Sequence, residues 1–317
     1  MQDPAALFRL ETDTNLADLR ASTLVVALGG FIDAGHTQRL VVDHLMRTLE
    51  HTVVATFDVD QLIDYRARRP QMSFTVDRYT EYTDPSLALY RLVDDAGTPF
   101  FLLTGPEPDY QWERVAAAVI MLVKALGVEL VVTVYGAPMA VPHTRPVAST
   151  VHGTTDELRS LGKRIFGTFT VPGSMAGLLE FRLGELGRSA VSFVVYVPHY
   201  LAQGEYPAGA AHGLERLGDV AGLSLPPAAL ELAAADSAHA IAAEVAASPE
   251  AAEIVRTLEE QYDSKLARLE FTDTDSVDDD EDDEDPSARL DASSLPTSDQ
   301  LGAEVEAFLE DLRRGGN

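Results

Sequence analysis

The sequence has no cysteine, three lysines, one tryptophan and no apolar run near the roughly 18 residues that a membrane-spanning helix needs. Without cysteine, disulfides and thiolate chemistry are excluded. Without an apolar span, a membrane protein is not expected. Lysine scarcity leaves arginine as 21 of the 24 cationic side chains, and the net charge is -27. A phosphate backbone would be repelled by that field, and no basic cluster with interleaved aromatics stands out, so nucleic acid is not an expected partner. Met1–Leu10 lacks the basic start, apolar stretch and small-residue cleavage site of a signal peptide, which makes the cytoplasm the expected compartment.

A length of 317 residues and a hydrophobic share of 46% suit one large α/β domain with appendages. Five short β-branched runs, Thr23–Leu28, Thr52–Phe57, Pro99–Leu103, Glu129–Tyr135 and Ala190–Val197, read as buried strands. Between them, His36–Leu49, Tyr110–Leu126 and Ser174–Leu186 carry apolar residues at helical spacing. Alternating strands and helices predict a three-layer α/β/α fold around a mostly parallel sheet. The interval Ser73–Asp94 reads as an antiparallel hairpin about the Thr83-Asp84-Pro85 turn signal. After Pro226 an alanine-rich stretch reads as helical to about Glu270, with breaks at Asp236-Ser237 and Ser248-Pro249. Ten acidic residues lie between Asp273 and Asp285, a density that repels itself and cannot bury apolar surface. The expected organisation is an α/β core over 1–222, a helical appendage over 223–271, an acidic disordered linker over 272–297 and an amphipathic helix over 298–317.

In an open α/β sheet, ligands bind beyond the carboxyl ends of the strands. Five post-strand loops hold most of the distinctive residues here: Gly29–His36, Asp60–Pro70, Thr104–Trp112, Tyr135–Pro146 and Val197–Pro207. They supply the candidate pocket residues Asp33, His36, Arg66, Glu107, Tyr110, His143, Arg145, His199 and Tyr200. His143 and Arg145 sit in a Pro-His-Thr-Arg-Pro segment whose prolines restrict the backbone. Two histidines with an arginine and a carboxylate can bind an anion or act as acid and base. The same residues can equally form a structural hydrogen-bond cluster that ties the loops together.

Three catalytic patterns are approached and missed. Gly30, Gly35 and Thr37 have the spacing of a phosphate-cradling loop, but His36 stands where the lysine belongs and Asp33 adds negative charge. Such a loop retains only a helix start able to hold a small anion or a carbonyl. Gly173-Ser174-Met175-Ala176-Gly177 resembles a nucleophile elbow, but Pro172 replaces the required glycine, and Ser174 reads as a helix cap. No metal-ligand spacing exists, and His143, His152, His199 and His212 lie on separate elements, so no metal or cofactor is expected.

The segments Gly30–Gly35, Gly105–Trp112, Gly136–Pro146, Val171–Gly173 and Val197–Tyr200 together resemble the pattern of bacterial members of the proteasome assembly chaperone 2 family, from about Leu24 to Leu217. The resemblance implies a fold like that of nucleoside phosphorylases and related hydrolases, and a tendency to form homo-oligomers, trimers among them. It also implies a chaperone-like role, since the eukaryotic namesake assists assembly of proteasome α-rings, while bacterial relatives mostly lack an assigned activity. An ATP-grasp activity, ascribed to some relatives, finds little support in a chain with three lysines. Two readings remain: a protein-binding oligomer, or a binder or enzyme acting on a nucleoside or other anionic metabolite.

Overall fold

The structure is a computed structural model that describes residues 2–11, 15–30, 32–162, 168 and 170–272. The acidic tract from Asp273 and the helix expected over 298–317 lie outside the described residues. Among those residues, strands form at β1 (Phe8–Leu10), β2 (Thr23–Gly29), β3 (Glu50–Phe57), β4 (Met72–Thr75), β5 (Arg78–Tyr82), β6 (Ala88–Val93), β7 (Pro99–Pro106), β8 (Leu130–Met139), β9 (Ser149–Gly153) and β10 (Ser189–Pro198). Helices form at α1 (Thr37–Thr48), α2 (Trp112–Ala125), α3 (Asp156–Arg159), α4 (Met175–Glu185), α5 (Pro207–Ala221), α6 (Ala228–Ala247) and α7 (Pro249–Thr272).

Eight strands make one sheet in the order β1-β3-β6-β7-β2-β8-β10-β9. Strands β7, β2, β8 and β10 pair in parallel, and β3 points the same way across the antiparallel β6. The five co-directional strands coincide with the five apolar runs of the sequence. Strand β2 shows why: Leu24 and Val26 face α2 and α4, while Val25 and Ala27 face α1, α5 and α6, so both of its faces are buried. The architecture is the expected three-layer α/β/α sandwich.

Helix ends follow local chemistry. The Ser174 hydroxyl accepts the Gly177 N–H at 3.0 Å and caps α4, which makes it a cap and not the apex of an elbow. Helix α5 starts on Pro207 and ends at Gly222, which is left-handed at φ 63°. The break at Ser248-Pro249 forms as expected, but α6 runs through Asp236-Ser237. Capping residues alone do not stop a helix whose neighbours are alanines, because no lost hydrogen bond forces the end. Leu230 of α6 joins the core cluster that holds Leu214 and Leu217 of α5, and Val255 and Leu258 of α7 are buried.

The expected hairpin is redrawn. Its turn lies at Val76-Asp77, and β4 and β5 pair only with each other, as a separate two-stranded sheet. The second half of the interval becomes β6, which inserts between β3 and β7 in the main sheet. Thr83 instead closes the base of the hairpin by donating its N–H to the Gln71 carbonyl at 2.9 Å. Every residue of β4 and β5 is exposed.

Candidate functional site

Because the five long parallel-running strands share a direction, their following loops meet at one edge. Strand β2 leads to α1 on one face and its neighbour β7 leads to α2 on the other, which makes a topological switch point between them. The chain fills that crevice itself. Glu107 Oε1 accepts the Met175 N–H at 2.6 Å, so a carboxylate of the protein occupies the N-terminus of α4 where an anion would bind. Gly30 leaves room for it, since a Cβ there would lie 3.2 Å from Glu107 Oε2.

Asp33 serves the first loop in the same way. Its carboxylate accepts the N–H groups of Gln38 at 2.7 Å, Arg39 at 3.1 Å and Gly136 at 3.4 Å. Burial pushes its pKa up, and those backbone donors pull against the rise. His36 is left-handed at φ 50° at the head of α1, behind Gly35 at φ 64°. Gly35 is locked from both sides: its N–H donates to Ala202 and its carbonyl accepts from Tyr206, each at 2.9 Å. The near-miss phosphate loop is therefore a packed link between α1 and the segment after β10.

On the β3 side, Arg68 donates to the Glu107 carbonyl at 2.6 Å and pairs with Asp109, whose other oxygen accepts the Asp64 N–H at 2.6 Å. The Tyr110 hydroxyl lies against Asp64, whose charge pushes the phenol pKa up. Arg66 is exposed beside this group.

The histidines of the other side do converge. The Tyr200 hydroxyl accepts the His143 backbone N–H at 2.9 Å and lies 2.7 Å from His143 Nδ1. A hydroxyl that accepts from the backbone satisfies both groups by giving its proton to Nδ1, which leaves the neutral ring protonated on Nε2. Burial depresses the His143 pKa and raises that of Tyr200. The His199 ring packs edge-on against Tyr200 with centroids 5.4 Å apart, but its side of the ring pair is exposed.

Arg145 is engaged by residues that sequence reasoning did not single out. Its Nε and Nη2 donate to the two oxygens of Asp263 at 2.9 and 2.6 Å, and its Nη1 donates to Glu259 at 3.2 Å. The Thr144 hydroxyl donates to the same Glu259. Helix α7 thus lies across the Pro142–Pro146 segment. Glu259 and Asp263 are one turn apart on one helix face, a local signal, but nothing local names an arginine more than a hundred residues away. Between Pro142, Arg145, Tyr196, Tyr206 and Tyr262 the remaining cavity is about 10 Å³, room for one water.

A further polar chain was missed because its histidine looked isolated. Ser192 donates to Glu180 at 2.6 Å, Glu180 holds His152 Nδ1 at 2.8 Å, and the Tyr135 hydroxyl stands 3.5 Å from His152 Nε2. Burial and then Glu180 push the Tyr135 pKa up to about 12. Among the described residues no group of histidines and carboxylates has the geometry of a metal site, and no helix is long and apolar enough to cross a membrane.

The nine candidates therefore divide: His143 and His199 meet at Tyr200, Arg145 is bound by α7, Asp33 caps and His36 heads the start of α1, Glu107 occupies the start of α4, and Tyr110 and Arg66 lie with Asp64 on the β3 side. No curated protein matches the chain. Its fold and sequence are similar to the Mycobacterium tuberculosis protein of unknown function Rv2714, at 44% identity and a TM-score of 0.80, over 86% of this chain and 94% of that one. A protein of unknown function from Corynebacterium glutamicum is 38% identical with a TM-score of 0.77, over 83% and 98% of the two chains. The Mycobacterium tuberculosis proteasome-assembly chaperone homologue Rv2125 is 25% identical with a TM-score of 0.67, over 74% and 99%. The PAC2 family model matches residues 27–246, and the chain belongs to the PAC2 family.

Proposed function

We propose that the chain is a non-enzymatic, protein-binding homo-oligomer with an assembly-chaperone-like role, and that it works in the cytoplasm. The observation that carries this reading is the state of the strand-end groups. Asp33, Glu107, Tyr200, His143 and Arg145 each hydrogen-bond to the chain itself, and the cavity that Arg145 lines is about 10 Å³. A small-molecule site instead presents a few convergent polar groups to a pocket of several hundred cubic ångströms. A wider hollow of about 490 Å³, beside Met46, His51 and Arg91 where β3 begins, holds none of the nine candidates. The name of the relative Rv2125 supports the same reading, as do the homo-oligomers, trimers included, that the family resemblance implies.

One observation favours the second reading, a site for a nucleoside or other anionic metabolite. The Arg145 fork, held bidentate by Asp263, is the geometry that also grips a phosphate or carboxylate if α7 withdraws. A thermal-shift screen of nucleotides and anionic metabolites on wild type and His143→Ala separates the two. The proposal expects no ligand shift together with reproducible co-purification of a protein partner. A shift that disappears in His143→Ala would overturn it.

A further inference from the structure

Arg91 of β6 carries a buried Nε–H that meets no acceptor among the described residues. A charged donor taken out of water and left unpaired is destabilising, so the group calls for an acceptor that the chain does not supply. Arg91 lines the hollow of about 490 Å³ where β3 begins, and Arg47 near the end of α1 lines it as well. Arg47 donates its Nε–H to the Asp43 carbonyl at 2.9 Å, and neither arginine forms an ion pair among the described residues. Glu50 lines the same hollow and pairs with neither. Elsewhere Arg9, Arg39, Arg68, Arg145, Arg182 and Arg256 all sit against carboxylates.

The hollow follows an open edge of the sheet. Strand β1 pairs with β3 only from Ala55 to Phe57, and Glu11 donates to the Val54 carbonyl at 3.0 Å. Among the described residues no strand lies outside residues 50–53, and all four are exposed. Thr52 and Arg91 stand opposite each other on the sheet face that Leu89 shares with α2. His51 stands opposite Leu92 on the other face, which is the side of α1 and Arg47. The His51 ring is fixed there: its Nδ1–H donates to the Leu49 carbonyl at 3.1 Å, and its edge meets Tyr90 with centroids 5.9 Å apart. The hollow therefore wraps the strand edge, with one unpaired guanidinium belonging to each face.

We propose that the edge of β3 over 50–53 takes an extended acidic segment of another protein, which adds as a strand and sets adjacent carboxylates on Arg91 and Arg47. The added strand supplies main-chain N–H and carbonyl groups to the open edge. Its successive side chains point to opposite faces, so two adjacent acidic residues reach one guanidinium each. The carboxylate on Arg91 also provides the acceptor that its Nε lacks. A net charge of -27 repels acids at long range. Salt screens that field beyond about 8 Å at physiological ionic strength, which leaves the local cations of the hollow to decide. The inference rests on the protein-binding part of the reading above and names a surface and a partner chemistry for it.

The test is fluorescence anisotropy of the full chain with a labelled peptide, Thr-Val-Glu-Glu-Val-Thr. Wild type is expected to bind it and to ignore the version with glutamine in place of glutamate. Methylating alternate peptide nitrogens, which removes strand pairing and keeps the charge, should abolish binding. Arg91→Met and Arg47→Met are each expected to weaken binding about tenfold, the scale of one charge-assisted hydrogen bond. Arg91→Met should leave the urea midpoint unchanged or raised, because its Nε donates to nothing in the free chain. A lowered midpoint would show that the guanidinium already has a partner, and would overturn the proposal. So would a wild type that ignores the acidic peptide, a methylated peptide that binds equally, or inorganic phosphate that displaces the peptide at the peptide's own concentration. The last two outcomes would make the hollow a small-anion site. Binding that emerges only on dilution of the chain would assign the edge to a second copy. Binding that emerges only after the acids of 273–285 are replaced by Asn and Gln would assign it to the chain's own tract, and either result removes a foreign segment as occupant. A protein partner that co-purifies equally with wild type and both variants would leave the protein-binding reading standing and remove this surface from it.

Discussion

At Gly136 an added Cβ would stand 2.1 Å from the Ala34 carbonyl oxygen and 2.6 Å from the Thr37 hydroxyl. Backbone cannot withdraw as a flexible side chain does, and Ala34 is held by the 2.9 Å bond that its carbonyl accepts from Thr37. Gly136→Ala is therefore expected to cost about 3 kcal/mol, the upper range for overpacking, read as a fall in the urea midpoint at unchanged slope. A cost under about 0.5 kcal/mol, the scale of an ordinary surface change, would show that the first loop is not seated on β8. The loop glycines were legible as a near-miss phosphate-loop spacing, but what packs against them was not. Asp33 and Glu107 looked like pocket acids because a carboxylate in a post-strand loop looks the same in sequence whether it faces a ligand or a helix N-terminus. Only the fold brings the Met175 N–H to Glu107 and the Gly136 N–H to Asp33.

Elements buried on both faces were the most legible, because continuous apolar runs such as Leu24–Leu28 have no alternative to the sheet interior. Short edge strands were not. Strands β1 and β9 are three and five residues long, too short to show an alternation that would distinguish them from loop. The hairpin turn was misplaced for a related reason: Asp84-Pro85 is a strong turn signal, whereas Val76-Asp77 is a poor one, and tertiary pairing of β6 decided between them. Ser174 is the element-scale test of chemistry against structure. As the cap of α4 its loss leaves the Gly177 N–H without its partner, so Ser174→Ala is expected to destabilise by about 1 kcal/mol. Ser174→Asp, which restores an acceptor, should recover most of that in the same denaturation measurement. If aspartate fails to rescue, the capping account of this residue is wrong.

For the whole molecule, a net charge of -27 would lead one to expect that mild acid stabilises it by relieving repulsion. That relief starts only where carboxylates protonate, near about pH 4–5. Between about pH 7.5 and 5.5 the histidines titrate instead. His143 and His212 are both held below the ordinary 6.5, each mainly by burial. A base with a depressed folded pKa binds fewer protons folded than unfolded. Its contribution is complete above the unfolded value and is lost as pH falls through 6.5 toward the folded one. Asp33, raised by burial, has the opposite sign, but its window opens upward from 3.8 and so begins well below the histidine range. The melting temperature is accordingly expected to fall between pH 7.5 and 5.5 despite the loss of net negative charge, and the combination His143→Gln with His212→Gln should flatten that fall. A wild-type melting temperature that rises over the same interval would mean that global repulsion outweighs the two buried rings.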